Sequence, residues 1–157
     1  MEDCYQRATA LLGKGQNDPA FLAFVEDLGE HPEVMAKTAN GCSHIFRKTG
    51  LQMTFYAHSN CFASIFFHFC SAQVQAGTVQ KYQGTLVHGI AFGDSRNDVE
   101  KKLAMKPSTK LVQGRTPDEP KDLWDEYELG LLKLRFLFPG SKDSLGALSV
   151  HYAPADI

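Results

Sequence analysis

The sequence lacks the features by which membrane, secreted and nucleic-acid-binding proteins are usually identified. It has no apolar run of the length that a membrane span needs, and its first residues, MEDCYQRATALLGKGQ, lack the basic and then apolar segments of a secretory signal. Its 16 basic and 18 acidic side chains leave a net charge of −2, and the basic ones are scattered along the chain. We therefore expect a cytoplasmic protein that binds neither membranes nor nucleic acid.

Cysteine is scarce and is not spaced for redox or metal chemistry. The four cysteines form no C-x-x-C pair, which excludes a thioredoxin-type motif and the commonest zinc knuckle, and without an export signal we expect free thiols. One zinc arrangement stays open, because Cys42 with His44, and His68 with Cys70, can present four ligands on one sheet face. The alternative is that the cysteines are small apolar fillers and the histidines are surface residues. We expect neither a metal nor a cofactor.

The segment GDSRND, residues 93–98, resembles the last motif of the haloacid-dehalogenase phosphatases, in which two carboxylates hold magnesium. Those enzymes also need an Asp-x-Asp pair, which this sequence does not contain. The alternative interpretation is a capping box, in which Ser95 and Asp98 begin a helix. No complete set of nucleophile, base and stabiliser is present, and no glycine-rich phosphate loop, so we expect no catalytic activity.

Two parts of the chain repeat one pattern of a short helix, a loop and then strands of period-two alternation. The first pseudo-repeat covers about 18–70 and the second about 89–152. The predicted fold class is therefore α+β: a single domain, residues 1–157, of two pseudo-repeats with helices on one face of an antiparallel sheet. We predict a long loop over residues 108–122, which contain two prolines and no apolar period.

Alternation along the predicted strands assigns each side chain to one face of the sheet. The residues expected to be buried are Phe55, Ile65, Phe67, Leu134, Phe136, Leu148 and Val150. The opposite face takes the intervening polar residues, among them Gln52, Thr54 and Lys133. A slip of one residue would exchange the two sets, so burial tests this assignment.

The second face carries aromatic, imidazole and guanidinium groups, which are enriched at the centres of protein interfaces. Its candidate partner-binding residues are Tyr56, Phe66, His68, Arg135 and His151. We expect this face to bind a protein. The alternative is that residues 2–12 cover it and turn Tyr56 and Phe66 into a second small core.

An acidic cluster follows the predicted loop and can add a charged rim to that face. Its members are Asp118, Glu119, Asp122, Asp125, Glu126 and Glu128, of which the first four are candidate partner-binding residues. Such a rim would attract a basic partner and raise the association rate. The alternative is a run of solvated charges, as most acidic clusters are.

A helix followed by L-G/A-x-x-P, the segment DLWDEYELGLLKLRF and a last apolar strand resemble the tandem α/β repeats of the beta-lactamase-inhibitor-like fold. The same unit resembles small barrel-assembly lipoproteins and bacterial immunity proteins, and the resemblance runs from about Asp18 to Tyr152. It implies a non-enzymatic immunity protein that binds and blocks a cognate bacterial toxin. A small-molecule-binding module and an enzyme of unrecognised type are the alternatives, which an enclosed apolar pocket would favour.

Overall fold

The structure is a computed structural model that describes residues 4–35, 39, 41–57, 61–68, 72–74, 77–91, 93–113, 118 and 121–152. The helices within these ranges are α1 Cys4–Thr9, α2 Pro19–Leu28 and α3 Arg96–Leu103. The strands are β1 Glu33–Val34, β2 Gly41–Phe46, β3 Leu51–Tyr56, β4 Phe62–His68, β5 Ala72–Val74, β6 Gly77–Val79, β7 Thr109–Gln113, β8 Asp122–Leu129, β9 Leu132–Phe138 and β10 Ala147–Tyr152. In these ranges, no helix combines the length and apolar character needed to cross a bilayer.

Eight of these strands form one antiparallel sheet in the order β1-β2-β3-β4-β10-β9-β8-β7, and β5 and β6 form a separate hairpin. The predicted arrangement of two helix-plus-strand repeats is therefore wrong. The described helices have only six, ten and eight residues, and one large sheet runs through both halves of the chain. The physical reason is that alternation determines which way side chains point but not which strands pair. The halves merge because β4 pairs with β10.

The predicted division of side chains between the two faces is confirmed. The seven residues expected to be buried are each at most 1% exposed: Phe55, Ile65, Phe67, Leu134, Phe136, Leu148 and Val150. We call their side of the sheet the core face. The opposite side, the polar face, carries a row of cross-strand neighbours: Gln52, Phe66, Ser149, Arg135 and Glu126.

The helices pack against the core face. The ring of Tyr5 in α1 lies 5.5 Å from that of Phe67, and the ring of Phe21 in α2 lies 5.4 Å from that of Phe55. Val99 of α3 is fully buried in the same apolar cluster. Since α1 lies on the core face, the alternative in which residues 2–12 cover the polar face is wrong.

Side chains cap the starts of α2 and α3, and the capping box predicted at α3 is confirmed. Asp18 accepts a hydrogen bond from the Ala20 N–H at 2.8 Å, ahead of Pro19 in the first turn of α2. At α3, the Ser95 hydroxyl accepts from the Asp98 N–H and the Asp98 carboxylate accepts from the Ser95 N–H, each at 3.0 Å. The GDSRND segment therefore begins a helix.

Residues 108–122 are not a continuous loop, because β7 lies within them and pairs with β8. The strand β7 has only two apolar residues, Leu111 and Val112, and they are adjacent. No apolar alternation therefore marks this strand in the sequence. A strand at the edge of a sheet needs less apolar surface than a central one, and it is held by ladder hydrogen bonds to its single neighbour.

Candidate functional site

A cleft of about 230 Å³ opens on the polar face above β7, β8, β9 and β10. We call it the polar-face cleft; its lining residues are Leu111, Trp124, Arg135, Ser149 and His151. The antiparallel register brings them together, because Trp124 lies opposite Leu111 and Arg135 lies opposite Ser149. Two predicted site residues, Arg135 and His151, thus lie in one cleft.

Hydrogen-bond donors dominate the polar lining of the cleft. Nε of Arg135 donates to Oε2 of Glu126 at 2.6 Å, so the guanidinium leans from β9 towards β8. No other described residue accepts from Arg135, whose side chain is 40% exposed. The indole N–H of Trp124 is covered and has no acceptor among the described residues. Both groups have donor capacity left for a ligand.

Glu126 is shared by two cations, so it does not neutralise both. Its carboxylate lies 2.6 Å from the Arg135 guanidinium and 3.8 Å from Nζ of Lys133. Two further carboxylates of β8 lie on this face: Asp122, two residues before Trp124, and Glu128, which is opposite Lys133. At the rise of a strand Glu128 is about 13 Å from Trp124 and Asp122 about 7 Å from it. The lining of the cleft itself has one cation, Arg135, and no carboxylate.

Ser149 and His151 form a polar pair at the floor of the cleft. Oγ of Ser149 lies 2.6 Å from Nε2 of His151, and which atom donates depends on the histidine tautomer. Burial lowers the pKa of His151, and the nearby positive charge of Arg135 lowers it further, against an opposing effect of Glu126. The imidazole is therefore neutral at neutral pH.

The remaining predicted aromatic and imidazole residues lie on the polar face but outside the cleft. Phe66 and His68 form a tilted ring pair on β4, with centroids 4.6 Å apart. His68 is only 6% exposed, and burial lowers its pKa to about 4. Tyr56 is half-buried on β3, on the far side of β4 from the cleft. The structure does not bring these three residues to the cleft.

The predicted acidic rim is dispersed. Asp118 is exposed, and Glu119 lies outside the described residues. Asp122 accepts from the Gly140 N–H at 2.9 Å. Asp125 belongs to the core side of β8, where it is 2% exposed and bonded to Arg96. Asp122 and Asp125 therefore serve internal contacts.

The hypothesis of a shared zinc ion fails on geometry. Cys42 and His44 lie opposite the core residues Phe55 and Met53, whereas His68 is on the polar face with Phe66. A sheet separates them, and Cys70 lies outside the described residues. Burial lowers the pKa of His44. In the part of the chain that the structure describes, no cluster of three or more histidine, cysteine or acidic side chains could hold a metal ion.

The two carboxylates of the GDSRND segment have separate partners. Asp94 pairs with Lys102 at 2.7 Å and accepts from the Ala91 N–H at 3.0 Å. The backbone and side chain of Ser95 lower the pKa of Asp98 by hydrogen bonding to it. These contacts account for both groups without a metal.

A larger cleft of about 450 Å³ lies between α3 and β8, on the other side of the sheet. Its lining has three basic and three acidic side chains. Arg96 is bonded to Asp125 through its side chain and to Asp143 through its backbone N–H. Three of its six charged groups, Arg96, Asp125 and Asp143, are therefore bonded to one another, which makes it a weaker candidate than the polar-face cleft.

No protein-family model and no curated protein sequence matches this chain. Solved structures with a similar fold include an extracellular protein containing a SCP domain from Bacillus anthracis str. Ames, with a TM-score of 0.58 and 10% identity over 97% of this chain and 47% of that one. A cysteine-rich secretory protein from Staphylococcus aureus has a TM-score of 0.54 and 8% identity over 91% of this chain and 45% of that one. A DUF4309 family protein from Bacillus subtilis has a TM-score of 0.50 and 14% identity over 96% and 94% of the two chains.

These similarities concern the fold, and this chain spans about half the length of the first two proteins. They overturn the resemblance to the beta-lactamase-inhibitor-like fold, which is wrong. The immunity-protein and toxin-inhibitor assignment depended on that resemblance and is wrong with it. The reason is that the motifs behind it, a glycine or alanine, a proline and apolar alternation, occur in many antiparallel sheets and carry no chemistry.

Proposed function

We propose that this chain is a non-catalytic module that binds another protein through the polar-face cleft. The observation that carries the proposal is the pairing of Trp124, whose indole N–H has no acceptor among the described residues, with the partly exposed Arg135 in one cleft. An unsatisfied buried donor costs about 1–3 kcal/mol, which a partner's carbonyl or carboxylate would recover. Tryptophan and arginine are also the side chains that dominate interface energies.

The N–H of Trp124 is covered in the unbound protein. A partner's acceptor therefore reaches it only after side chains of the cleft rearrange. Rotamer changes of this kind are common at interfaces whose backbone stays fixed. We expect Leu111, which lines the cleft and is 38% exposed, to move in this way. The rearrangement stays local because Trp124 is on a strand paired on both sides.

The dimensions of the cleft favour a protein over a small molecule. Its volume of about 230 Å³ is below the ~300–1,000 Å³ that is usual for small-molecule sites. It suits one or two side chains of a partner. The cleft also continues into the polar face rather than closing over, so a partner can extend along the sheet.

A second candidate function, hydrolysis with Ser149 as nucleophile, is favoured only by the bond between Ser149 and His151. Ser149 sits on β10, which pairs on both sides, so its backbone N–H groups serve the ladder and none is available for an oxyanion. A fluorophosphonate probe tests this function. Labelling that is lost in Ser149→Ala would establish a nucleophile, and no labelling is expected.

Trp124 is the only tryptophan, so its fluorescence reports on the cleft directly. Peptides selected on the immobilised protein from a random display library should shift its emission when titrated. Arg135→Ala should weaken their binding by about 30-fold, the equivalent of ~2 kcal/mol. Arg7→Ala, which removes a partly exposed arginine in α1, is the matched control and should bind as the wild type does.

Peptides that leave Trp124 emission unchanged and bind Arg135→Ala as tightly as the wild type would refute the proposal.

The proposal includes a cytoplasmic location for the chain. The sequence predicts the cytoplasm, whereas the Bacillus anthracis neighbour is itself named an extracellular protein. Cys42 is a free thiol in this structure, which is the usual state in a reducing compartment. Fractionation of cells into medium, envelope and cytoplasm, with antibody detection of the chain, would test the cytoplasmic location.

A further inference from the structure

The strand β7 forms an edge of the sheet. It pairs with β8 over Thr109–Gln113, and no strand within the described residues pairs with its other side. The opposite edge, β1, has only two residues, which is one of the ways proteins protect an edge from pairing. By contrast, β7 has five residues and no proline, and only Lys110 is charged. Its outer side is therefore a template for another strand.

The strand β7 exposes two apolar side chains that an added strand would cover. Leu111 is 38% exposed on the polar face, and Val112 is 60% exposed on the other face. A strand added beside β7 places alternate side chains on the two faces, so one set lies beside Leu111. Because Leu111 lines the polar-face cleft, this set continues into the cleft.

The chemistry of the cleft indicates which side chain would enter it. Trp124 and Arg135 have unused donors, and Arg135 leans towards β8, which is one strand away from β7. An added strand would lie ~10 Å from β8, two strand spacings away. An extended glutamate and the arginine together can cover that distance. A carboxylate accepts from both donor types and pairs with the guanidinium in a fork.

We propose that β7 is the docking strand for an extended acidic segment of a partner protein, which adds to the sheet and directs a carboxylate into the polar-face cleft. This inference rests on the proposed function, since it uses the same cleft, and it adds the partner's conformation and charge. Backbone hydrogen bonds supply affinity in such strand addition, and alternate side chains supply specificity. A second copy of this chain fits less well, because its own β7, TKLVQ, offers a lysine and no carboxylate.

Three synthetic peptides of about ten residues test the proposal. The first alternates threonine and valine, with glutamate at its two central polar positions. The second replaces the glutamates with lysine. The third keeps the glutamates but has proline in place of two valines, so that it carries the charge without forming a strand. Trp124 emission measures occupation of the cleft, and amide hydrogen exchange measures protection of Thr109–Gln113.

The glutamate peptide should shift Trp124 emission and slow exchange in β7. The lysine and proline peptides should bind at least about ten-fold more weakly. Arg135→Ala should reduce the preference for glutamate over lysine, and Arg7→Ala should leave it unchanged.

Three results would overturn the proposal. Equal protection of β7 by the glutamate and lysine peptides would remove the acidic specificity. A shift of Trp124 emission without protection of β7 would leave the proposed function standing and refute strand addition. Concentration-dependent dimerisation in sedimentation, with β7 protected in the peptide-free protein, would assign the edge to a second copy. Failure of the proposed function is distinct, because then even library-selected peptides leave Trp124 emission unchanged.

Discussion

Arg96 and Asp125 form a two-point ion pair that joins α3 to the sheet. Nε of Arg96 lies 2.8 Å from Oδ2 of Asp125, and Nη2 lies 2.5 Å from Oδ1. The side chain of Asp125 is 3% exposed, whereas that of Arg96 is 29% exposed. A carboxylate buried to this degree depends on its partner for compensation, which makes Asp125 a structural residue.

Replacing Asp125 should destabilise the protein. Asp125→Ala leaves a cation beside a new cavity, and we expect the free energy of unfolding to fall by ~3 kcal/mol, since breaking a buried pair costs ~3–5 kcal/mol and Arg96 is partly solvated. The control is Asp27→Ala, in which the exposed Asp27 loses its surface pair with Arg7, and for it we expect at most ~1 kcal/mol. Urea unfolding measures both. Equal small losses would show that the Arg96–Asp125 pair contributes no more than a surface one.

Ala104 ends α3 in a conformation that suits glycine. Its φ of 55° and ψ of 36° are left-handed, which costs a residue with a Cβ about 1–2 kcal/mol. Ala104→Gly should therefore stabilise the protein by ~0.5–1 kcal/mol after the entropy of glycine is counted. The exposed Ala23, in the middle of α2, provides the opposite case, and Ala23→Gly should destabilise by ~1 kcal/mol. Thermal unfolding compares them; a loss of stability in both would refute the strain at Ala104.

Stability should fall with pH through the titration of His68. Burial lowers its pKa to about 4 from an ordinary 6.5, so the unfolded chain binds more protons between these two values. The contribution of the neutral imidazole is complete above pH 6.5 and is lost as the pH falls towards 4. We expect a loss of about 2 kcal/mol at pH 5 from this group.

The variant His68→Leu tests this assignment, because it keeps an apolar side chain at the site and removes the titration. The free energy of unfolding should then depend less steeply on pH between 6.5 and 5, with the remaining slope due in part to the lowered pKa values of His44 and His151. An unchanged slope would mean that the pKa of His68 is not lowered in the folded protein.

Arg135 should contribute to binding far more than to stability. The side chain of Arg135 is 40% exposed. When Arg135 is replaced, Glu126 still has Lys133 as a cationic partner. Arg135→Ala should therefore lower the free energy of unfolding by ~1 kcal/mol or less. A sharp fall in melting temperature together with unchanged peptide affinity would identify Arg135 as a structural residue instead.

Much of the local structure was accessible from the sequence because the determining contacts are local. Asp18 and Ser95 begin their helices by bonding to N–H groups within three residues. Alternation placed seven core residues correctly, since a strand leaves each side chain only two directions. The same rule predicts that Asp125 points to the core face, because it follows the outward Trp124 and is in phase with the core residue Tyr127. The prediction of an acidic rim follows the charge of Asp125 rather than its phase, and it is wrong for this residue.

The sequence by itself determined the helix starts and the two faces of the sheet, because these follow from the bonding and direction of neighbouring residues. Only the tertiary structure decided that β4 pairs with β10, that β7 is an edge strand and that Trp124, Arg135 and His151 share a cleft. These relationships join residues far apart in the chain, and strand pairing is chosen by the total burial of the sheet. The total burial depends on all strands of the sheet, so it cannot be read from a short segment of the sequence.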